Sequence, residues 1–164
     1  MPPTSDGNPV RPLWDRLVRL PGGPRMFSFL LGRLAPYTGS IRPRVLELRD
    51  GYARVAMRDR RAVRNHLRSI HAIALMNLAE VATGLALLYG LPGSSRAILT
   101  GLSITYVKKA RGPLTAEATA VAPPSGVETE VEIDTEIVDE GGEVVARATA
   151  RWLVGPRERA VGDG

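Results

Sequence analysis

The sequence predicts an α+β protein: a largely antiparallel sheet of six strands wrapped around one long buried helix. Three observations carry this. From Ala72 to Ser95 the chain holds a single charge, Glu80, in an otherwise apolar or neutral run (AIALMNLAEVATGLALLYGLPGSS), the composition of a helix enclosed on every side. On either side of that run, apolar residues recur with a period of two, the signature of half-buried strands. The turns between those segments are short, as antiparallel neighbours allow and parallel ones do not. At 164 residues the chain has length for one domain with a real core but hardly for two.

The elements follow in order. The opening MPPTSDGNPVRP is polar and proline-rich and has no apolar core of a secretion signal. Residues 11–35 carry helical spacing in two sets, Leu13, Trp14, Leu17, Val18 and Leu20, then Met26, Phe27, Leu30, Leu31 and Leu34, broken at Pro21–Pro24. Pro36 and Gly39 end that region. From Val45 the period becomes two, and VLELRDGYARVAMR reads as a strand, an Asp50-Gly51 turn and a second strand. A basic irregular link, 58–69, leads to the apolar helix, expected from about His71 to Tyr89 and punctuated by LPGSS. Strands are expected at 97–109, 114–122, 127–137 and 143–154, separated by Gly112-Pro113, by Pro123, Pro124 and Gly126, and by the Asp139–Gly142 hairpin turn. In 127–137 the alternation puts Glu128, Glu130, Glu132, Asp134 and Glu136 on one face, where Arg147 and Arg151 of the next strand can meet them. The chain thus divides into a helical extension, 1–40, the sheet-and-helix domain, 41–156, and a flexible tail, 157–164.

Charge and composition exclude several functions. The surplus is basic, +5 with pI near 10.2, and it is clustered: Arg58, Arg60, Arg61, Arg64 and Arg68 before the helix, and Lys108, Lys109 and Arg111 after the strand 97–109. Aromatics are only 5% and none lies inside the first cluster, so a small polyanion such as a nucleotide phosphate fits better than a nucleic acid. For any one of these arginines, a solvated surface position is as common. With no cysteine there is no disulfide framework, thiolate chemistry or Cys-based zinc site. The two histidines, His66 and His71, have no nearby residues to complete a metal shell, so no metal is expected. The apolar helix is long enough to tempt a membrane-spanning reading, but Asn77, Glu80, Thr83 and Gly84 sit near its centre. A central acid costs about 3 kcal/mol on insertion scales. A soluble, cytoplasmic protein is expected, with no membrane or nucleic-acid partner.

Function concentrates at Glu80. A carboxylate in so apolar a helix loses water, and burial disfavours its ionised form, so it needs a partner or a use. Asn77, Glu80 and Gly84 share one helix face at i, i+3 and i+7. One sheet can enclose such a helix on one side only, which leaves apolar surface for a second copy of the chain, with the strand 97–109 as the seam. A homodimer, extendable to a dimer of dimers, is expected.

The run Asn65-His66-Leu67-Arg68-Ser69-Ile70-His71-Ala72-Ile73-Ala74-Leu75-Met76-Asn77-Leu78-Ala79-Glu80 resembles the N-x-x-G-x-x-H-G-G-x-x-x-x-L-[AV]-[DE] signature of hot-dog thioesterases of the phenylacetate-pathway (PaaI-like) type. It is closer still to a branch with an N-H-x-x-[ST]-x-H-A motif. The resemblance runs from about Val45 to Val154, includes a strand end at Thr100–Lys109 similar to the family's y-x-[KR]-x-a-x-G pattern, and leaves the helical N-terminus outside. It implies the hot-dog fold and hydrolysis of an acyl-CoA thioester in a slot between two subunits, with coenzyme A entering as part of the substrate and no separate cofactor. It implies Glu80 as general base or nucleophile, Asn65 orienting water or the carbonyl, and the helix start after His71 polarising the carbonyl through the Ala72 N–H. Asn77, Thr83 and Gly84 would line the slot, and Arg64, Arg68, Lys108 and Lys109 would meet the phosphates at its mouth. The chain departs from the signature where Ala72 and Ile73 replace glycines, where Arg68 replaces another, and where Thr83 and Gly84 offset the polar side chain usual one turn after the acid. Judged singly, Glu80 is as often a structural buried acid, His71 more often a helix-start residue, and Asn65 an ordinary loop residue. Two other functions use the same slot: non-catalytic acyl-CoA or fatty-acyl binding, and hydratase or dehydratase chemistry with His71 and Glu80.

Overall fold

The computed structural model describes residues 8–124 and 126–157. The sequence-defined tail 157–164 therefore lies almost wholly outside the described residues, as does the start of the helical extension. Helices α1 (Val10–Leu17) and α2 (Gly23–Leu34) bury Trp14 and Phe27, whose rings meet edge-on with centroids 5.1 Å apart. The break between them needs glycine, because a Cβ on Gly23 would fall 1.7 Å from the Leu17 carbonyl oxygen. Ser28 Oγ donates to the Pro24 carbonyl at 2.7 Å and accepts the Val45 N–H at 2.9 Å, tying α2 to the first strand.

Pro36 begins a helix where the sequence reading had it end one. The short α3 (Pro36–Ser40) has Pro36 in its first turn, where the missing N–H costs nothing and the fixed φ is already helical. Strands β1 (Arg44–Arg49) and β2 (Tyr52–Met57) form the expected hairpin, a 3-10 turn (Arg61–Val63) interrupts the basic link, and α4 spans Ala72–Gly90. Strands β3 (Ser95–Tyr106), β4 (Leu114–Thr119), β5 (Thr129–Asp139) and β6 (Val144–Pro156) follow.

The six strands form one sheet in the order β1-β2-β4-β5-β6-β3, and every neighbouring pair is antiparallel. Helix α4 lies against the inner face, where Val55, Met57, Ala116, Ile133, Ile137, Ala148 and Ala150 close over Leu78, Ala82 and Leu87. By length and composition α4 could cross a membrane, yet 72% of its most apolar window is buried within the fold. Trp14, Phe27 and Ile41 belong to the same core, so the N-terminal helices pack as part of one body rather than as a separate layer.

On the outer face the acidic comb of β5 is solvated. Glu136 accepts from Arg147 Nε at 2.8 Å, and Asp134 accepts from Thr149 Oγ1 at 2.5 Å. Arg151 stands opposite Glu132 in register, but its guanidinium folds over Gly101 of β3 instead of meeting an acid, so close that a Cβ there would be 2.6 Å from Nη2. Strand β3, the expected seam, is an edge of the sheet.

Candidate active site

The loop before α4 is built by Asn65. Its Oδ1 accepts three hydrogen bonds, from Leu67 N at 2.9 Å, Ser69 N at 3.2 Å and Ser69 Oγ at 3.1 Å. Its backbone N–H donates to Ser69 O at 2.8 Å. The side-chain oxygen is thus committed to the loop, and only the amide Nδ2 is left to orient a ligand. The same tight turn puts Arg68 at φ 56, in the left-handed region. This is the position at which the family signature has glycine, and the backbone supplies the reason.

His71 caps α4. Its Nδ1 accepts the Ile73 N–H at 3.1 Å, its carbonyl accepts from Ala74 N at 2.9 Å, and its own N–H donates to Val63 O at 2.8 Å. The N–H of Ala72 has no acceptor among the described residues, so the first donor of α4 is unspent. Tyr106, at the end of β3, donates its hydroxyl to the Ala72 carbonyl at 3.2 Å and so lies across the helix start. The sequence reading gave Tyr106 no role, although Tyr106 is the tyrosine that opens the y-x-[KR]-x-a-x-G pattern at this strand end.

Along α4, Ile73, Met76 and Glu80 form the stripe that the sheet leaves uncovered, with Ile73 45% exposed. Glu80 is half-buried and has no cationic or hydrogen-bonding partner for its carboxylate among the described residues; desolvation alone pushes its carboxyl above the ordinary glutamate range. Beyond Glu80 the stripe closes. A Cβ on Gly84 would sit 3.0 Å from the indole of Trp152. Thr83 is fully buried, donates to Ala79 O at 2.9 Å and accepts from Trp152 Nε1 at 3.3 Å. Thr83 and Gly84 therefore pack against β6 rather than line an opening.

Asn77, expected beside Glu80, turns to the N-terminal helices instead. Its Nδ2 donates to Tyr37 O of α3 at 3.1 Å, while its buried Oδ1 has no partner among the described residues. Two of the four basic residues expected at a slot mouth are already engaged. Arg64 Nε lies 2.6 Å from Asp59, which also accepts the Gly112 N–H at 3.0 Å. Lys108 bridges Asp139, at 2.7 Å, and Glu143. Arg68 and Lys109 are exposed and form no ion pair among the described residues.

The structure thus brings Asn65, His71 and Ala72 together at the start of α4, with Glu80 on the same open stripe. Eight residues separate Ala72 from Glu80, about 12 Å along a helix axis.

The fold is the hot-dog fold, and the comparisons agree. The family described as "Domain of unknown function (DUF4442)" matches residues 23–154, and the chain belongs to it. That match takes in α2 and α3, which the motif resemblance left outside. The structural-genomics protein APC5556 is 31% identical, with 90% of this chain and 99% of that one covered and a TM-score of 0.77. A Pseudomonas aeruginosa protein, PA5026, named a probable thioesterase, is 24% identical over 84% of this chain and 97% of its own, with a TM-score of 0.68. A hypothetical thioesterase of Streptococcus pneumoniae, solved with coenzyme A, is 20% identical over 78% of this chain and 99% of its own, with a TM-score of 0.64. No curated protein matches the chain.

Proposed function

We propose that the protein hydrolyses acyl-CoA thioesters in a slot that a second copy of the chain completes. The observation that carries this is the unpaired, half-buried Glu80 on the one uncovered stripe of an otherwise enclosed helix. An unpaired buried carboxylate is costly and finds its use where a proton must move. A two-fold axis beside β3 would bring the α4 start of one chain to the Glu80 of the other. Glu80 would then take a proton from water as the water oxygen attacks the thioester carbonyl carbon. The Ala72 N–H would hold the developing oxyanion, and the Asn65 Nδ2 would orient the attacking water. Collapse of the tetrahedral intermediate breaks the C–S bond, and the thiolate of coenzyme A leaves and takes up a proton. The hot-dog neighbours named thioesterases, one of them holding coenzyme A, support this substrate class.

A thiol-release assay over acyl-CoAs of varied length and aromaticity tests it directly. Turnover of at least one of them is expected, and no turnover of any overturns it. One observation favours a second reading, binding without catalysis: Ile73 brings a bulky side chain to the helix start where the signature has glycine. In that reading acyl-CoA binds and is released unchanged.

A further inference from the structure

Outside the α4 site, the described surface carries one concentration of charge that nothing balances. A groove of ≈ 1310 Å³ runs between α2, α3, the start of β1 and the link after β2. Six arginines line it, Arg25, Arg33, Arg42, Arg44, Arg58 and Arg60, and among the described residues no carboxylate does. Elsewhere on the molecule Arg11, Arg49, Arg54, Arg64 and Arg147 each meet an Asp or Glu, while others, Arg68 and Arg151 among them, do not. Among the described residues none of the six groove arginines does.

Two of them are held against their own preference. Arg42 has φ 50, a left-handed conformation that a residue with a long side chain seldom adopts. Arg60 donates from Nη2 to the Ser40 carbonyl at 2.9 Å, but its Nε is enclosed without a partner among the described residues. Burial and the neighbouring charge of Arg42 both push the Arg60 guanidinium below its ordinary range. Like charges gathered in a concave site, with an enclosed donor left over, are the complement of a multiply charged anion. Guanidinium forks suit phosphate oxygens, which they hold in pairs. Phe29, 63% exposed at the groove wall, adds an aromatic face on which a base can stack.

We propose that this groove binds the polyphosphate of a nucleotide, chemistry shared by a free nucleoside polyphosphate and by the nucleotide end of coenzyme A. Only the second source rests on the thioesterase reading. A concave wall fed from four segments of chain suits a small ligand better than the long basic stripe that a nucleic acid needs. Of the four sequence candidates for the phosphates, Arg64 and Lys108 are ion-paired, whereas Arg68 and Lys109, like Arg58 and Arg60 of the groove, form no ion pair among the described residues.

Titration calorimetry of the full chain with ATP, coenzyme A and pyrophosphate, at low and physiological salt, tests this. Binding that weakens with salt is expected, and the Arg42→Gln/Arg60→Gln variant should lose about tenfold or more in affinity. Because that pair supports the fold near Ser40, the surface variant Arg25→Gln/Arg33→Gln provides a second reading and should also weaken binding. ATP and pyrophosphate binding identify a free nucleotide as the source, and binding of coenzyme A alone identifies the substrate's nucleotide end. The proposal is overturned if none of the three binds, if both variants bind as wild type does, or if only phosphatidylserine vesicles bind, through Met26, Phe29 and Leu34. Thioester hydrolysis with an unchanged KM in both variants, and no binding of ATP or pyrophosphate, would sink the groove and leave the thioesterase reading intact. ATP binding that the variants weaken, with no hydrolysis of any thioester, would do the reverse.

Discussion

A carboxylate withdrawn from water without a cation beside it titrates above its ordinary range, and α4 holds Glu80 in that condition. The sign of the effect on stability follows. With the folded value raised, the folded state holds the proton longer than the unfolded chain, so stability is full below the unfolded glutamate range. It falls as pH rises through the raised folded value. Glu80→Gln should therefore flatten that part of the stability–pH curve, which denaturation at a series of pH values measures. If Glu80 is the base, the hydrolysis rate should rise with pH through the same raised value. Glu80→Gln should then lower it by about a hundredfold or more while the protein stays folded. Activity within a factor of about two of wild type would remove Glu80 from the mechanism. The need for such a residue was legible in the sequence, because a single charge in so apolar a run has few readings. Its degree of burial was not, since that depends on how far the sheet closes over α4.

At the scale of elements, the loop from Asn65 to Ser69 and the seam between α4 and β6 set the strain that the chain carries. Arg68 occupies a left-handed position that costs an L-residue about 1–2 kcal/mol. Arg68→Gly should stabilise the fold by about 1 kcal/mol in chemical denaturation, part of the relief being lost to the looser unfolded chain. Arg68→Ala, which keeps the Cβ, should give no such gain. The opposite outcome is expected at Gly84. Alanine there gains about 1 kcal/mol of helix propensity. Its Cβ would however press on an indole anchored by Thr83, and overpacking costs about 1–3 kcal/mol. A net loss of stability for Gly84→Ala is the expected result, and a gain would mean that Trp152 yields freely. The strands and α4 were legible because periodicity is local. The engagements of Asn77, Arg64 and Lys108 were not, because each depends on a partner brought up by folding: Tyr37 of a helix whose starting proline reads as a stop, Asp59 across the loop, and Asp139 and Glu143 across the β5–β6 hairpin. Lys108→Ala should accordingly leave KM for an acyl-CoA unchanged, which steady-state kinetics decides.

At the scale of the whole molecule, the sheet wraps α4 from one side and stops at β3. Ile73, Met76 and Glu80 are left beside that edge, together with Leu102, Ile104 and Tyr106 of the strand itself. An edge strand with this many apolar side chains and no proline is a template for a second copy. The helix geometry adds a functional reason. The backbone rises about 12 Å from Ala72 to Glu80 along α4, a spacing at which a second chain can supply one of the two groups to a shared slot. If two chains pair through β3 about a two-fold axis, each slot takes Asn65 and Ala72 from one chain and Glu80 from the other. Asn65→Ala and Glu80→Ala should then each be inactive alone. After co-refolding at equal concentration, about half of the dimers are hybrids, and each hybrid has one slot with both residues intact. Recovered activity near a quarter of wild type is therefore expected, since about half the dimers would carry one working slot of two. Each single variant must first be shown to fold, because Asn65 also closes its own loop through Ser69. Folded variants that never complement, or a wild-type chain that sediments as a monomer at micromolar concentration, would place both half-sites in separate roles and end the shared-slot reading.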